Sequence, residues 1–146
     1  MRDLLELQTG QVAFISGLMS GFSLSIAVHV LRYGIRNRVA QVVFLMFLLS
    51  SLLFLLALYI DVRLSIALAG FDTVAVQVLE KIGTLRTVGT ASATVALVVF
   101  VMATGLLGWL ATPSTGVIST VLTGSALVVL WIAWSAVNAI SITLGA

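Results

Sequence analysis

Four stretches of this chain run without a formal charge for longer than an ordinary core helix requires. They are Gln8 to Leu31, Val39 to Ile60, Thr87 to Thr112 and, after Pro113, Gly116 to about Ile140. A helix needs about 20 mostly apolar residues to cross the hydrocarbon core of a bilayer, so each run predicts a spanning helix with room for tilt. Strands of a membrane barrel alternate apolar and polar residues over about ten positions, and none of these runs alternates. The N-terminal MRDLLEL mixes acids with its single Arg, and the run behind it is too long for the apolar part of a secretory signal. The pattern predicts an all-α integral membrane protein with four transmembrane helices. It forms a single domain over residues 1–146, with helices at about 8–31, 39–60, 87–112 and 116–140.

The connections are unequal. RYGIRNR makes a tight turn between helices 1 and 2, and Pro113 to Thr115 a turn between helices 3 and 4. Residues 61–86 separate helices 2 and 3. There Leu64, Ala67, Phe71, Val74, Val78 and Ile82 recur at helical spacing among Asp72, Gln77, Glu80 and Lys81. This predicts an amphipathic helix that lies at the interface or extends helix 2 or 3 beyond the bilayer. No internal repeat relates the two halves, which weakens an inverted-repeat transporter reading. An even number of spans puts both termini on one side. Arg32, Arg36 and Arg38 crowd the 1–2 turn without acids, which favours a cytoplasmic turn. The raw count on the opposite side, Arg2, Arg63, Lys81 and Arg86, points the other way.

Composition closes off several function classes. Of 146 residues 61% are hydrophobic and only 8% charged, against roughly 25% charged in soluble domains. A soluble enzyme, a nucleic-acid binder and a disordered tail are thereby excluded. Seven basic residues and a net charge of +2 make no nucleic-acid footprint. There is no Cys and one His, so a single subunit has no means of building a metal site or an acid–base pair. No cofactor is expected, and the lipid bilayer of the cell membrane is the first partner.

Helix 1 carries the most information. On a helical wheel Thr9, Ser16, Ser20 and Ser23 form one stripe, with Gly10, Gly17 and Gly21 beside it; Gly17 and Gly21 make a GxxxG. Small residues let helices approach closely and serine hydroxyls bond across the contact, so Gly17, Ser20 and Gly21 are expected to pack. A third stripe holds Gln11, Phe14, Leu18, Phe22, Ser25 and His29 and continues into Arg32 and Arg36. Helix 1 is then either the most buried helix of a bundle, or a helix that packs by one stripe and lines a path with the other. His29 is the only ionisable side chain well inside the four runs, a functional-site hypothesis by default. Its nearness to Arg32 equally suits a hydrogen-bonded side chain at headgroup depth. Helix 2, nearly all large apolar side chains, reads as lipid-facing. Asn138 in helix 4 is expected to bond between helices, with Trp131 and Trp134 as interface anchors.

Ser16 to Val30, SGLMSGFSLSIAVHV, resembles the first, pore-lining helix of the Orai calcium channels. That family has Ser-Gly-Phe and, seven residues after the Phe, a Glu whose side chains ring the pore. Here Ser20-Gly21-Phe22 matches, and His29 stands at the Glu position between Val28 and Val30. The family's pore-facing series falls on Phe14, Leu18, Phe22, Ser25 and His29, and Gly108-Trp109 late in helix 3 is a further match. The resemblance covers some 15 to 20 residues and, beyond them, the helix count. It implies a pore built by several copies around helix 1, with Arg32 and Arg36 at its mouth. The basic residues of the family's inner pore and the bend-forming Pro of its fourth helix are missing. Ca²⁺ prefers several oxygen ligands, which a His ring does not supply, so the resemblance implies the architecture without the calcium site.

Two functions of different class follow. One is a homo-oligomeric ion channel in which Phe14, Leu18 and Phe22 form an apolar constriction and Ser25 and His29 the polar end. The other is a structural or accessory subunit of a larger membrane complex, docking through small-residue stripes such as Gly89, Ala93 and Ala96. A dimeric transporter ranks third, and a membrane enzyme last, since the runs hold no catalytic constellation.

Overall fold

The computed structural model describes the backbone of residues 2–32, 37–69 and 76–143, and side chains within 11–32 (Val12 excepted), 37–66 and 83–136. Apart from Asn37, Ala111 and Thr112 the described chain is helical: α1 (Arg2–Arg32), α2 (Arg38–Ala69), α3 (Val76–Leu107), a single 3₁₀ turn (Gly108–Leu110) and α4 (Pro113–Thr143). No strand occurs among the described residues. All four helices carry stretches long and apolar enough to cross a bilayer: Ala13–Arg32, Arg38–Ile66, Gly83–Leu110 and Pro113–Ala136. This is a multi-pass membrane protein in contact with lipid.

The helices outrun their charge-free cores. α2 and α3, at 32 residues each, are about 48 Å long at 1.5 Å per residue, against a hydrocarbon core of about 30 Å. Residues 61–69 continue α2 and 76–86 open α3, so the charged connection is largely two helix extensions rather than a separate helix on the surface. Positions 70–75 lie outside the described residues. At the other end α3 stops at Leu107, short of Pro113, and Pro113 opens α4 instead of preceding it. Thr112 caps that helix. Its Oγ1 accepts the Thr115 N–H at 3.2 Å, and its carbonyl accepts the Gly116 N–H at 2.9 Å. Proline suits the first helical position, where its missing N–H has no partner to lose.

The helices form an antiparallel row in chain order: α1 on α2, α2 on α3, α3 on α4. The reading of α2 as a lipid-facing helix is overturned, because α2 lies in the middle. Its buried positions are Ala40, Val43, Phe47, Ser50, Ser51, Phe54, Ala57 and Leu64, a three-and-four spacing that runs one seam along the helix. Two consecutive serines hold both neighbours. Ser51 and Ser20 exchange hydroxyl-to-carbonyl bonds at 3.1 and 3.2 Å, and Ser50 donates to the Ala96 carbonyl of α3 at 2.9 Å. Successive residues on a helix point about 100° apart, so a Ser-Ser pair reaches two helices at once. Phe47 and Phe100 meet edge to face at 5.6 Å between ring centres. Hydrophobicity does not choose the inner helix in lipid, where tails are as apolar as leucine; packing and interhelical hydrogen bonds do.

Candidate functional site

α1 buries Ser16, Ser20, Ser23, Ala27 and Val30 against the rest of the chain, again at four-and-three spacing. The serine stripe is therefore its packing face. Ser23 adds no interhelical bond; its hydroxyl donates to the Met19 carbonyl of its own helix at 2.8 Å. The glycines divide. A Cβ at Gly17 would sit 3.8 Å from Leu58 Cδ2, an ordinary contact, while one at Gly21 would meet nothing within 4 Å. Packing at Gly21 within the chain is thus corrected: Gly21 faces outward.

Directly opposite the packing face lies the stripe that the resemblance places in a pore. Phe14 (70% exposed), Leu18 and Phe22 are uncovered, as are Ser25, His29 and Arg32. Arg36 lies outside the described residues. The stripe grades along the helix from aromatic and aliphatic to hydroxyl, imidazole and guanidinium. The outer face of α2 keeps its polar residues to its ends: Val42, Leu45, Leu49, Leu52 and Leu56 are all large, apolar and exposed, with exposed Arg38 and Gln41 before them and Tyr59 and Arg63 after. α4 is covered along one narrow stripe, Gly116, Ser119, Thr123, Leu127 and Leu130, of which only Gly116 is fully buried. Trp131 and Trp134 are exposed, and the Asn138 side chain lies outside the described residues.

At the arginine end the stripe borders a groove of about 740 Å³ that the sequence alone does not indicate. Ser25, Ile26, His29 and Val30 of α1 form one wall, Asn37 and Ala40 the start of α2, and Leu107 to Ala111 around the 3₁₀ turn, apart from Gly108, the other wall. Asn37 caps α2, its Oδ1 accepting the Val39 N–H at 3.4 Å and its carbonyl the Gln41 N–H at 3.2 Å. Trp109 is fixed from behind: its indole N–H donates to Thr120 Oγ1 at 3.0 Å, and a Cβ at Gly116 would lie 2.5 Å from its ring. Glycine there allows the indole to lie against α4. The segments at this end, 32–38 and 108–113, hold three arginines and no acid, whereas all five acidic residues fall within 1–6 and 61–86.

A second polar position, at the opposite end, does not stand out from the sequence. Asp61 continues the α2 seam, four residues after Ala57 and three before Leu64. Its Oδ2 is buried without a hydrogen-bond partner. Nearby, the Arg63 guanidinium lies 5.9 Å from the centre of the Tyr59 ring. The three-and-four repeat through Ala57 and Leu64 is the one signal in the chain that points to it. No group of three His, Cys, Asp or Glu side chains comes together among the described residues. Comparison with known proteins finds no matching family model, curated protein or solved structure.

Proposed function

We propose that this chain is a subunit of a homo-oligomeric ion channel of the cell membrane, its pore lined by α1. One observation carries the reading. α1 stands at the end of the helix row, and its uncovered face runs from Phe14, Leu18 and Phe22 to Ser25, His29 and Arg32. The outer face of α2 confines its polar residues to its ends, whereas α1 carries a hydroxyl two turns inside Arg32, at Ser25, with His29 between them. Copies arranged with α1 inward would bring the aromatic segment together as a constriction that gates by dewetting. Ser25 and His29 would supply hydration at one end, and Arg32 with Arg36 the potential at the mouth. The likeness of Ser16 to Val30 to the pore helix of Orai channels supports the same face. With histidine at the filter position and arginines at the mouth, selectivity for divalent cations is not part of the proposal.

The test is ion flux from liposomes holding the purified chain. His29→Glu puts a carboxylate where the imidazole stands and should raise divalent permeation or block, whereas His29→Ala should not. Wild-type protein that carries no ion refutes the channel. A stable monomer without conductance, assembling only with other chains, assigns the same face of α1 to a larger complex.

A further inference from the structure

We propose that the groove at the arginine end is a binding site for an anionic glycerophospholipid, its phosphate held at the polar rim and an acyl chain laid along the apolar floor. The groove is two-sided in character. Ser25, His29 and Asn37 supply polar groups, while Ile26, Val30 and Leu107 make an apolar wall. Its volume of about 740 Å³ lies within the 300–1,000 Å³ that small-molecule sites typically occupy. Charge selects the headgroup. Arg32 follows His29 by three residues and Arg38 follows Asn37 directly, and both are exposed. No acidic residue lies in the chain segments at this end. A zwitterionic headgroup would bring its own cation into that field; a phosphodiester with no amine would not. Depth agrees as well. At 1.5 Å per residue, Ser25 lies about 10 Å further into the membrane than Arg32, so headgroup and upper acyl chain coincide with the rim and the floor. Basic pockets between transmembrane helices are a recurrent setting for anionic headgroups.

The site does not depend on conduction, and its test reads binding alone. Trp131 and Trp134 are exposed on α4, so Trp131→Phe with Trp134→Phe leaves Trp109, on the groove wall, as the single tryptophan. This chain is reconstituted whole in phosphatidylcholine bilayers containing brominated phosphatidylglycerol or brominated phosphatidylcholine, and quenching of Trp109 is measured. Brominated phosphatidylglycerol should quench more strongly at equal mole fraction. Arg32→Gln and Arg38→Gln should each lower its relative affinity about fivefold. Ala111→Phe, which fills the groove without altering charge, should lower it with both arginines present. Equal quenching by the two lipids overturns the proposal, as does a preference that survives both arginine changes, or survives Ala111→Phe. If inorganic phosphate abolishes the preference beyond what sodium chloride of equal ionic strength does, the groove takes a soluble phosphate and the lipid assignment is wrong.

Discussion

Ala57→Leu and Gly21→Leu separate the two faces on which the structure and the proposed channel rest. Ala57 is 2% exposed and sits on the α2 seam between Phe54 and Leu64. Leucine there adds three carbons to a contact with no room for them, and overpacking of a close-packed interior costs about 1–3 kcal/mol. Gly21 meets nothing within 4 Å of a Cβ, so leucine at that position should leave the folded subunit unchanged, within the roughly 0.5 kcal/mol typical of exposed substitutions. Its effect should appear in assembly, because in a ring built on α1 the outward face meets other copies. Two measurements are needed for each variant: unfolding in mixed micelles titrated with SDS, and subunit number by native mass spectrometry. Ala57→Leu should shift the first. Gly21→Leu should shift the second alone. A neutral Ala57→Leu would mean that the α2 seam is not packed between its neighbours. A Gly21→Leu chain that assembles like the wild type would remove α1 from the subunit interface.

The serine pair makes a sharper claim about energetics. Ser20→Ala and Ser51→Ala should each cost about 0.6 kcal/mol, the average for interhelical hydrogen bonds in a membrane. Each hydroxyl donates to a backbone carbonyl that survives the other mutation, so a double-mutant cycle should show little coupling even though residues in contact usually couple; strong coupling would mean that the 3.1 Å contact between the hydroxyls carries the energy instead. Gly116→Ala should displace the Trp109 ring, break its bond to Thr120 and destabilise the α3–α4 end by about 1–3 kcal/mol, seen as a red-shifted Trp109 emission; an unchanged spectrum would mean that the turn is looser than its geometry. Phe22→Ser should raise conductance if the apolar segment gates by dewetting; planar-bilayer currents equal to wild type would place Phe22 against lipid.

Hydropathy reports the cost of placing a side chain in hydrocarbon, which is why four spans and their order are legible in the amino-acid sequence. Element ends are less so. Charge marks where 61–86 leaves the membrane, yet nothing in Asp61, Arg63 or Arg86 stops a helix, and α2 and α3 run on through them. Pro113 looks like a terminator, but with Thr112 before it, it is a starter. The central helix is hard to pick from sequence because large apolar side chains suit lipid and protein contact equally well. The informative residues in α2 are the least hydrophobic ones, Ser50 and Ser51, and the small Ala40 and Ala57 at seam spacing. In α1 the wheel separates the serine stripe from Phe14, Leu18, Phe22, Ser25 and His29, and the structure puts those stripes on opposite faces. The groove is beyond the reach of sequence, since it joins Ser25 and His29 to Trp109, some eighty residues away, through a 3₁₀ turn with no sequence signature.

The pore face and the groove share Ser25 and His29, and this sharing ties the two proposals together physically. Those side chains are within about two turns of the helix end, close to the headgroup layer, where an imidazole and a hydroxyl are tolerated. Depth alone therefore does not decide between a pore and a lipid-facing face; the arginines decide which ions such a pore would pass. Three of them at one end with no acid would repel cations arriving at a mouth formed by several copies, and the repulsion grows with subunit number. A phospholipid phosphate bound beside Arg32 and Arg38 in each copy would cancel much of that field, at a distance well inside the roughly 8 Å over which salt screens charges. Cation passage through such a mouth would then rise with the anionic lipid content of the bilayer, and anion preference would fall. In the proposed channel a lipid-filled groove would make the basic mouth compatible with cation flux, whereas an empty one would turn the same residues into an anion collector.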